Sequence, residues 1–214
     1  MRPNIYELLK SELKVFDVLI DVGCAGDYPL YDLVDFDNSC FKKLIGIDIK
    51  FEKEQEQKSF DHYVSSKKRN KTLNIEDWTS GKLRDDFNRR FQIVKESFFD
   101  YDFGVNRNSL IICNKVLHFY DNPTKFEQIK RFHISLQEHG LLFLKINHYL
   151  HPVDTDPTKM RKKAENIYQS IDFPDYEKYL IRPLEFTKTL MEQYNVLKQY
   201  LSGDNKALTL VIKK

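Results

Sequence analysis

The chain has 214 residues, 41% of them hydrophobic, and carries 34 Lys and Arg against 32 Asp and Glu, for a formal net charge of +2. That length suits one domain, residues 1–214, able to bury a continuous core without disulfides or metal staples. So even a balance excludes a global basic field that would recruit nucleic acid or an anionic membrane, although a local patch remains open.

Cys24, Cys40 and Cys113 are scattered and lack C-x-x-C spacing, which argues against a disulfide framework or a zinc ribbon and for a reducing, cytoplasmic setting. Residues 1–10 carry no apolar stretch of a signal peptide, and no run of about 18 apolar residues occurs, so neither secretion nor a membrane span is expected.

Ile5, Leu8, Leu9 and Leu13 recur at helical spacing and predict an amphipathic N-terminal helix. Val18 to Val22 then reads as a buried strand that runs into a turn of small residues, Gly23-Cys24-Ala25-Gly26-Asp27. Leu30, Leu33 and Val34, with Phe36 and Phe41, supply the apolar face of a crossover helix leading to a second buried strand, Leu44 to Ile49, which contains Asp48. This is one βαβ unit. Residues 51–90 are charged and predict a solvated helix, a loop and a second helix with the spacing Leu83, Phe87, Phe91. Within them, Lys67-Lys68-Arg69-Asn70-Lys71 reads as a solvated surface run that could touch phosphates, and Trp78 as a packing anchor.

Phe91 to Glu96 and Ser109 to Asn114 predict the third and fourth strands, the latter apolar enough to be buried on both faces. Pro123 opens a helix carrying Phe126, Ile129, Ile134 and Leu136, and Gly140 to Ile146 predicts a fifth strand. A loop from His148 to about Thr158 leads to a helix expected near Lys159 to Ser170 and another from Pro183 to Tyr194. Asn195 to Ser202 and Ala207 to Lys213 predict an antiparallel hairpin across Gly203-Asp204-Asn205.

A turn free of bulky side chains lets a ligand approach the backbone, and an acid on the next strand can accept both hydroxyl protons of a ribose. The pattern thus points to a nucleotide-like cofactor. G-x-G-x-x-G is absent, and no further glycines follow where a diphosphate would rest on a helix N-terminus, so a dinucleotide is disfavoured.

These residues resemble the first motif, and the acid of the second, in the class I S-adenosylmethionine-dependent methyltransferases, with Asp21, Gly23, Ala25 and Asp27 standing where that family has acid-x-Gly-x-Gly-x-Gly. Ala25 and Asp27 depart from the pattern, and Ala25 adds a methyl group where the cofactor's amino acid moiety would pass. The resemblance implies a Rossmann-like α/β fold: a seven-stranded, mostly parallel sheet with a C-terminal antiparallel hairpin and helices on both faces. It also implies S-adenosylmethionine as cofactor, with Gly23, Cys24 and their neighbours on its methionine part, Asp48 on its ribose and Ile49 on its adenine, and with Asn114 at the end of the fourth strand also among the cofactor-binding residues. Phe99 and Asp100 would complete the adenine pocket, with Asp102 the alternative to Asp100, since an aromatic ring beside a carboxylate suits both the π-face and the exocyclic amine of adenine.

Asn114-Lys-Val-Leu-His-Phe-Tyr-Asp121 is similar to the segment after the fourth strand in small-molecule methyltransferases, including the tellurite-detoxification type. Methyl transfer from a sulfonium is an in-line displacement, so much of its catalysis is positioning, and a base is needed only for a protonated acceptor. His118 is the candidate base, with Tyr120 and His148 as candidates to orient a small-molecule acceptor. A histidine at such a turn can equally serve by hydrogen-bonding the local backbone. His148 and His151 have the spacing H-x-x-H but no evident carboxylate partner, and no metal is expected.

Two other readings stay open. Lys145 ends its strand much as a lysine does in RNA ribose 2′-O-methyltransferases of the FtsJ type, which makes RNA a possible partner, although Asn114 stands where that family has Asp. The fold could also be kept as a non-catalytic binding module, because fold and activity are separable. The acceptor and the oligomeric state have no readable code in the sequence.

Overall fold

The computed structural model describes residues 16–24, 41–50, 53–69, 76, 81–148, 152–201 and 207–214. The helices expected over 5–13 and through 30–36, Trp78, His151 and the 203–205 turn lie outside them, as do Ala25 and Asp27. The described residues fall into two compact units, one within residues 3–102 and 108–110, the other comprising 103–107 and 111–214.

In the first unit, β1 (Phe16–Val22) and β2 (Phe41–Ile47) pair in parallel from Phe16↔Phe41 to Val22↔Ile47, and β2 pairs in parallel with β3 (Phe91–Val94). Leu19, Ile20, Val22, Leu44, Ile45 and Ile47 are all buried, as expected of parallel strands covered on both faces. The second strand stops two residues short of Ile49, which is exposed in the turn beyond it. Helix α1 (Lys53–Arg69) and helix α2 (Lys82–Arg90) match the two helices expected over 51–90.

Those helices are held by an aromatic cluster. Tyr63 and Val64 on α1 and Leu83 and Phe87 on α2 are buried together with Phe60 and Phe91 packed against them. Phe87 stacks on Phe91 with ring centroids 4.6 Å apart, and the Arg84 guanidinium lies 3.6 Å from the Phe60 centroid. Aromatic pairs of this kind contribute about 0.5–1.5 kcal/mol beyond their burial. This explains why helices with so many charges on their outer faces are anchored by a few residues at i, i+4 spacing.

In the second unit, β4 (Asn108–Asn114), whose first three residues belong to the first unit, is buried along its length up to Asn114. It is followed by a 3₁₀ turn at Leu117–Phe119 and helix α3 (Asn122–Ser135). Asp121 caps α3 by accepting from the Thr124 N–H at 2.9 Å, with Pro123 in the first turn. Strand β5 (Leu136–Asn147) starts directly after the helix, so Leu136 opens the strand and does not close the helix. The C-terminal hairpin is present: β10 (Ala207–Lys213) runs antiparallel to both β5 and β9 (Asn195–Leu201).

The helix expected near Lys159 to Ser170 is absent. Strands β6 (Met160–Ala164), β7 (Ile167–Ser170) and β8 (Glu177–Tyr179) form a separate antiparallel sheet there. Ala164 pairs with Ile167 across the two-residue turn Glu165-Asn166, where Asn166 takes φ 59. That left-handed residue breaks a helix and suits a tight hairpin, and Ile167 and Tyr168 favour strand. Helix α4 (Pro183–Met191) follows, three residues shorter than expected.

The large sheet has seven strands in the order β3-β2-β1-β4-β5-β10-β9 and is mostly parallel, the Rossmann-like arrangement expected from the sequence. The order reverses at β1, where open α/β sheets place their ligands beyond the strands' carboxyl ends. Among the described residues no helix is long and apolar enough to cross a membrane.

Lys125 on α3 is fully buried, its Nζ donating to the Tyr179 carbonyl at 2.8 Å and to Asn122 Oδ1 at 3.1 Å. Burial drives its pKa down to about 7 against a smaller opposing pull from Asp121. The folded chain therefore binds fewer protons here than the unfolded chain, and this contribution to stability is lost as pH falls toward neutrality. Lys125→Met should be more stable relative to the parent at about pH 7 and lose that relative gain by about pH 10. Paired thermal melts check this; a difference that does not change with pH contradicts it.

Candidate functional site

In the first unit, the chain leaves β1 through a turn fixed by the neighbouring strand. The Ile47 carbonyl accepts from the Gly23 N–H at 2.8 Å and the Cys24 N–H at 3.4 Å, while the Asp48 N–H donates to Val94 at 3.1 Å. Gly23 sits at φ 73, a conformation that costs a side-chain-bearing residue about 1–2 kcal/mol and glycine nothing. Tying both turns to adjacent strand ends places Asp21 and Asp48 beside one another.

The two carboxylates differ. Asp21 is 1% exposed, and its Oδ2 has no hydrogen-bond partner among the described residues. Burial first, and the nearby Asp48 second, hold its pKa well above the usual carboxylate range. Asp48 is half-buried and accepts from the Lys50 N–H at 2.7 Å. Cys24 is buried and its thiol is pushed up by burial and by both acids, which makes it a packing residue and not a nucleophile.

The tip of β3 is in the same unit. Phe98 is buried and stacks on half-buried Phe99 with centroids 4.4 Å apart, and the Asp100 N–H closes the turn onto the Ser97 carbonyl at 2.9 Å. Asp100 and Asp102 are both exposed, as is Ile49 at 61%. Asp21, Gly23, Cys24, Asp48, Ile49, Phe99 and Asp100 thus all occupy the carboxyl ends of three adjacent strands. Ala25 and Asp27, where the turn departs from the methyltransferase pattern, lie outside the described residues.

In the second unit, the chain leaves β4 through Lys115, which sits at φ 58 with its N–H on the Lys145 carbonyl at 2.8 Å. Asn114 Oδ1 is buried there with no hydrogen-bond partner among the described residues. His118 is 4% exposed in the 3₁₀ turn, its ring 4.0 Å from that of Phe119, and His148 is 2% exposed at the end of β5, bridged to Ile181. Tyr120 is half-buried, and burial raises its hydroxyl pKa.

Sequence reasoning missed a polar knot beside these tips. Asp154, 1% exposed, accepts from Asn147 Nδ2 at 2.6 Å and pairs with the ammonium of Lys178 on β8. Reading residues 159–170 as a helix hid it, because only the three-stranded sheet brings Lys178 back to the loop after β5. The signal available was Asn166 followed by the β-favouring Ile167 and Tyr168.

No protein-family model and no curated protein matches the sequence. Solved structures do match the fold. An S-adenosylmethionine-dependent methyltransferase from Clostridium acetobutylicum superposes with a TM-score of 0.62 at 14% identity, covering 98% of this chain and 88% of that one. The 1,6-didemethyltoxoflavin-N1-methyltransferase of Burkholderia thailandensis, solved with 1,6-didemethyltoxoflavin and S-adenosylhomocysteine, gives 0.59 at 13%, covering 98% and 74%. The N-methyltransferase NodS of Bradyrhizobium japonicum gives 0.54 at 13%, covering 100% and 99%. The fold is that of the class I S-adenosylmethionine-dependent methyltransferases.

An acid whose folded pKa is raised favours folding fully below its unfolded pKa of about 4, and that contribution is lost as pH rises through the folded value. Asp21→Asn, which keeps the shape and removes the charge, should therefore raise the melting temperature by roughly 3 °C or more at pH 8. The gain should shrink toward pH 4, and a constant or absent gain contradicts the burial of an uncompensated charge.

Proposed function

We propose that the chain is a methyltransferase that binds S-adenosylmethionine at the tips of β1, β2 and β3 and methylates a small molecule at O, N or S. The observation that carries this is the pair Asp21 and Asp48 on adjacent strand ends, with a glycine turn locked to Ile47 between them. Asp21 Oδ2 has no hydrogen-bond partner among the described residues, and two acids on neighbouring strand ends create a negative potential that favours a cation. S-adenosylmethionine carries two, an ammonium and a sulfonium, so the donor set fits it.

Asp48 would hold the ribose hydroxyls through charge-assisted hydrogen bonds, and exposed Ile49 and half-buried Phe99 would flank the adenine. Gly23 and Cys24 present backbone at the turn, and Asp21 supplies negative charge near the cofactor's amino acid end. When bound, the cofactor supplies an electrophilic methyl group. His118 is proposed as the base that takes a proton where the acceptor carries one, with Tyr120 and His148 to orient that acceptor. Both histidines are nearly enclosed by protein, which would exclude water from the acceptor.

A small-molecule acceptor is favoured over RNA by Asn114, which has no carboxylate to act with Lys145 on a ribose hydroxyl. The neighbour from B. thailandensis, which carries 1,6-didemethyltoxoflavin, is an example of such an acceptor on this fold.

Isothermal titration with S-adenosylmethionine tests the proposal. The parent chain should bind, and Asp48→Ala should weaken binding by about 2 kcal/mol, roughly 30-fold, through lost charge-assisted hydrogen bonds. An unchanged dissociation constant removes the ribose assignment, and no binding by the parent leaves the chain a methyltransferase-fold module without a cofactor.

A further inference from the structure

Asp21 is a carboxyl set among apolar strand residues. Ile20 and Val22 flank it on β1, Ile45 and Ile47 are buried on β2, and its own register partner on β2 is Gly46, which has no side chain to offer. The residue is 1% exposed, so water does not solvate it, and Oδ2 has no hydrogen-bond partner among the described residues. Among those residues the charged group that acts on it is Asp48, a like charge, and its other titratable neighbour is Cys24, whose thiol burial and both acids keep neutral. Strand β4, next to β1 in the sheet order, contains no charged residue, Cys113 being its one titratable side chain. No lysine, arginine or histidine among the described residues compensates Asp21.

A buried carboxylate with neither a hydrogen-bond donor nor a counter-charge costs several kcal/mol, and such a group takes up a proton instead. Of the two neighbouring acids, Asp21 is the one so placed, since Asp48 is half-buried and accepts from the Lys50 N–H. A ligand that brings a fixed positive charge to these strand ends supplies what the fold withholds. It reverses the preference, because the ionised carboxyl then has a partner of opposite sign.

We infer that Asp21 is protonated in the free chain and gives its proton to solvent when S-adenosylmethionine binds, so that cofactor affinity rises with pH. The inference rests on the proposed methyltransferase reading and adds a proton linkage to that site. The exchange balances: the Asp21 O–H bond breaks, the proton passes to water or buffer, the electron pair stays on the carboxylate, and no other covalent bond changes. By linkage, a group that ionises on binding strengthens the complex as pH rises, between its pKa in the complex and its higher value in the free chain. Asp21 acts here as a binding residue and takes no part in methyl transfer.

Isothermal titration of the full chain with S-adenosylmethionine, repeated at about pH 6 in two buffers of different ionisation enthalpy, counts the protons released. The parent should release about half a proton or more per ligand, and its affinity should rise at least about tenfold from pH 5 to pH 8. Asp21→Asn should release none and bind with an affinity that does not change over that range. 5′-Methylthioadenosine, which has the adenosine and thioether but neither cation, should bind the parent without proton release. Binding of S-adenosylmethionine with no proton release and no pH dependence overturns the inference, as do equal release with 5′-methylthioadenosine and release that persists in Asp21→Asn. Failure of the parent to bind S-adenosylmethionine at any of these pH values overturns the methyltransferase reading instead, so the two failures are told apart.

Discussion

One carbonyl oxygen, that of Ile47, organises the candidate cofactor edge. By accepting from both Gly23 and Cys24 it fixes the turn after β1 against the end of β2 and so sets two carboxylates side by side. Burial first, and the like charge of Asp48 second, raise the pKa of Asp21, the more enclosed of the two. The smaller of these two effects is the one tied to the proposed use, because two neighbouring carboxylates favour a cationic ligand while burial alone penalises charge of either sign. Binding would then return stability to the fold by mass action.

The sheet was legible in the sequence because its strands are buried on both faces and so read as unbroken apolar runs: Leu44 to Ile47, Ser109 to Cys113, Leu141 to Leu144. The acid at the end of the second strand and the small-residue turn after the first were legible for a related reason, since each breaks such a run with a residue whose chemistry has no place in a core. The boundaries were less so. Nothing local told Leu136 that it opens a strand and does not finish a helix, and Ile49 looked buried from its composition alone.

The small sheet was not legible. Met160 to Ala164 has lysines at 162 and 163 and an arginine at 161, all exposed, and such a strand lacks the alternation that marks a half-buried one. Its pairing is set by the left-handed Asn166 and by ion pairs such as that of Lys163 with Glu177, which are long-range or conformational facts invisible to periodicity. Because Lys178 depends on that sheet for its placement, its pairing with Asp154 beside Asn147 was hidden with it. Variation in such an added element is how one fold can serve many acceptors while the cofactor strands stay the same.

The central claim is that the tips of β1 and β2 receive an adenosyl group despite Ala25 and Asp27 in the intervening turn. A crystal structure of the chain grown with S-adenosylhomocysteine measures this directly. The account predicts ribose hydroxyls within hydrogen-bond distance of Asp48 and the ligand's ammonium on the Asp21 side of the Gly23 turn. Ligand bound elsewhere, or a turn in which the Ala25 or Asp27 side chain fills that space, contradicts it.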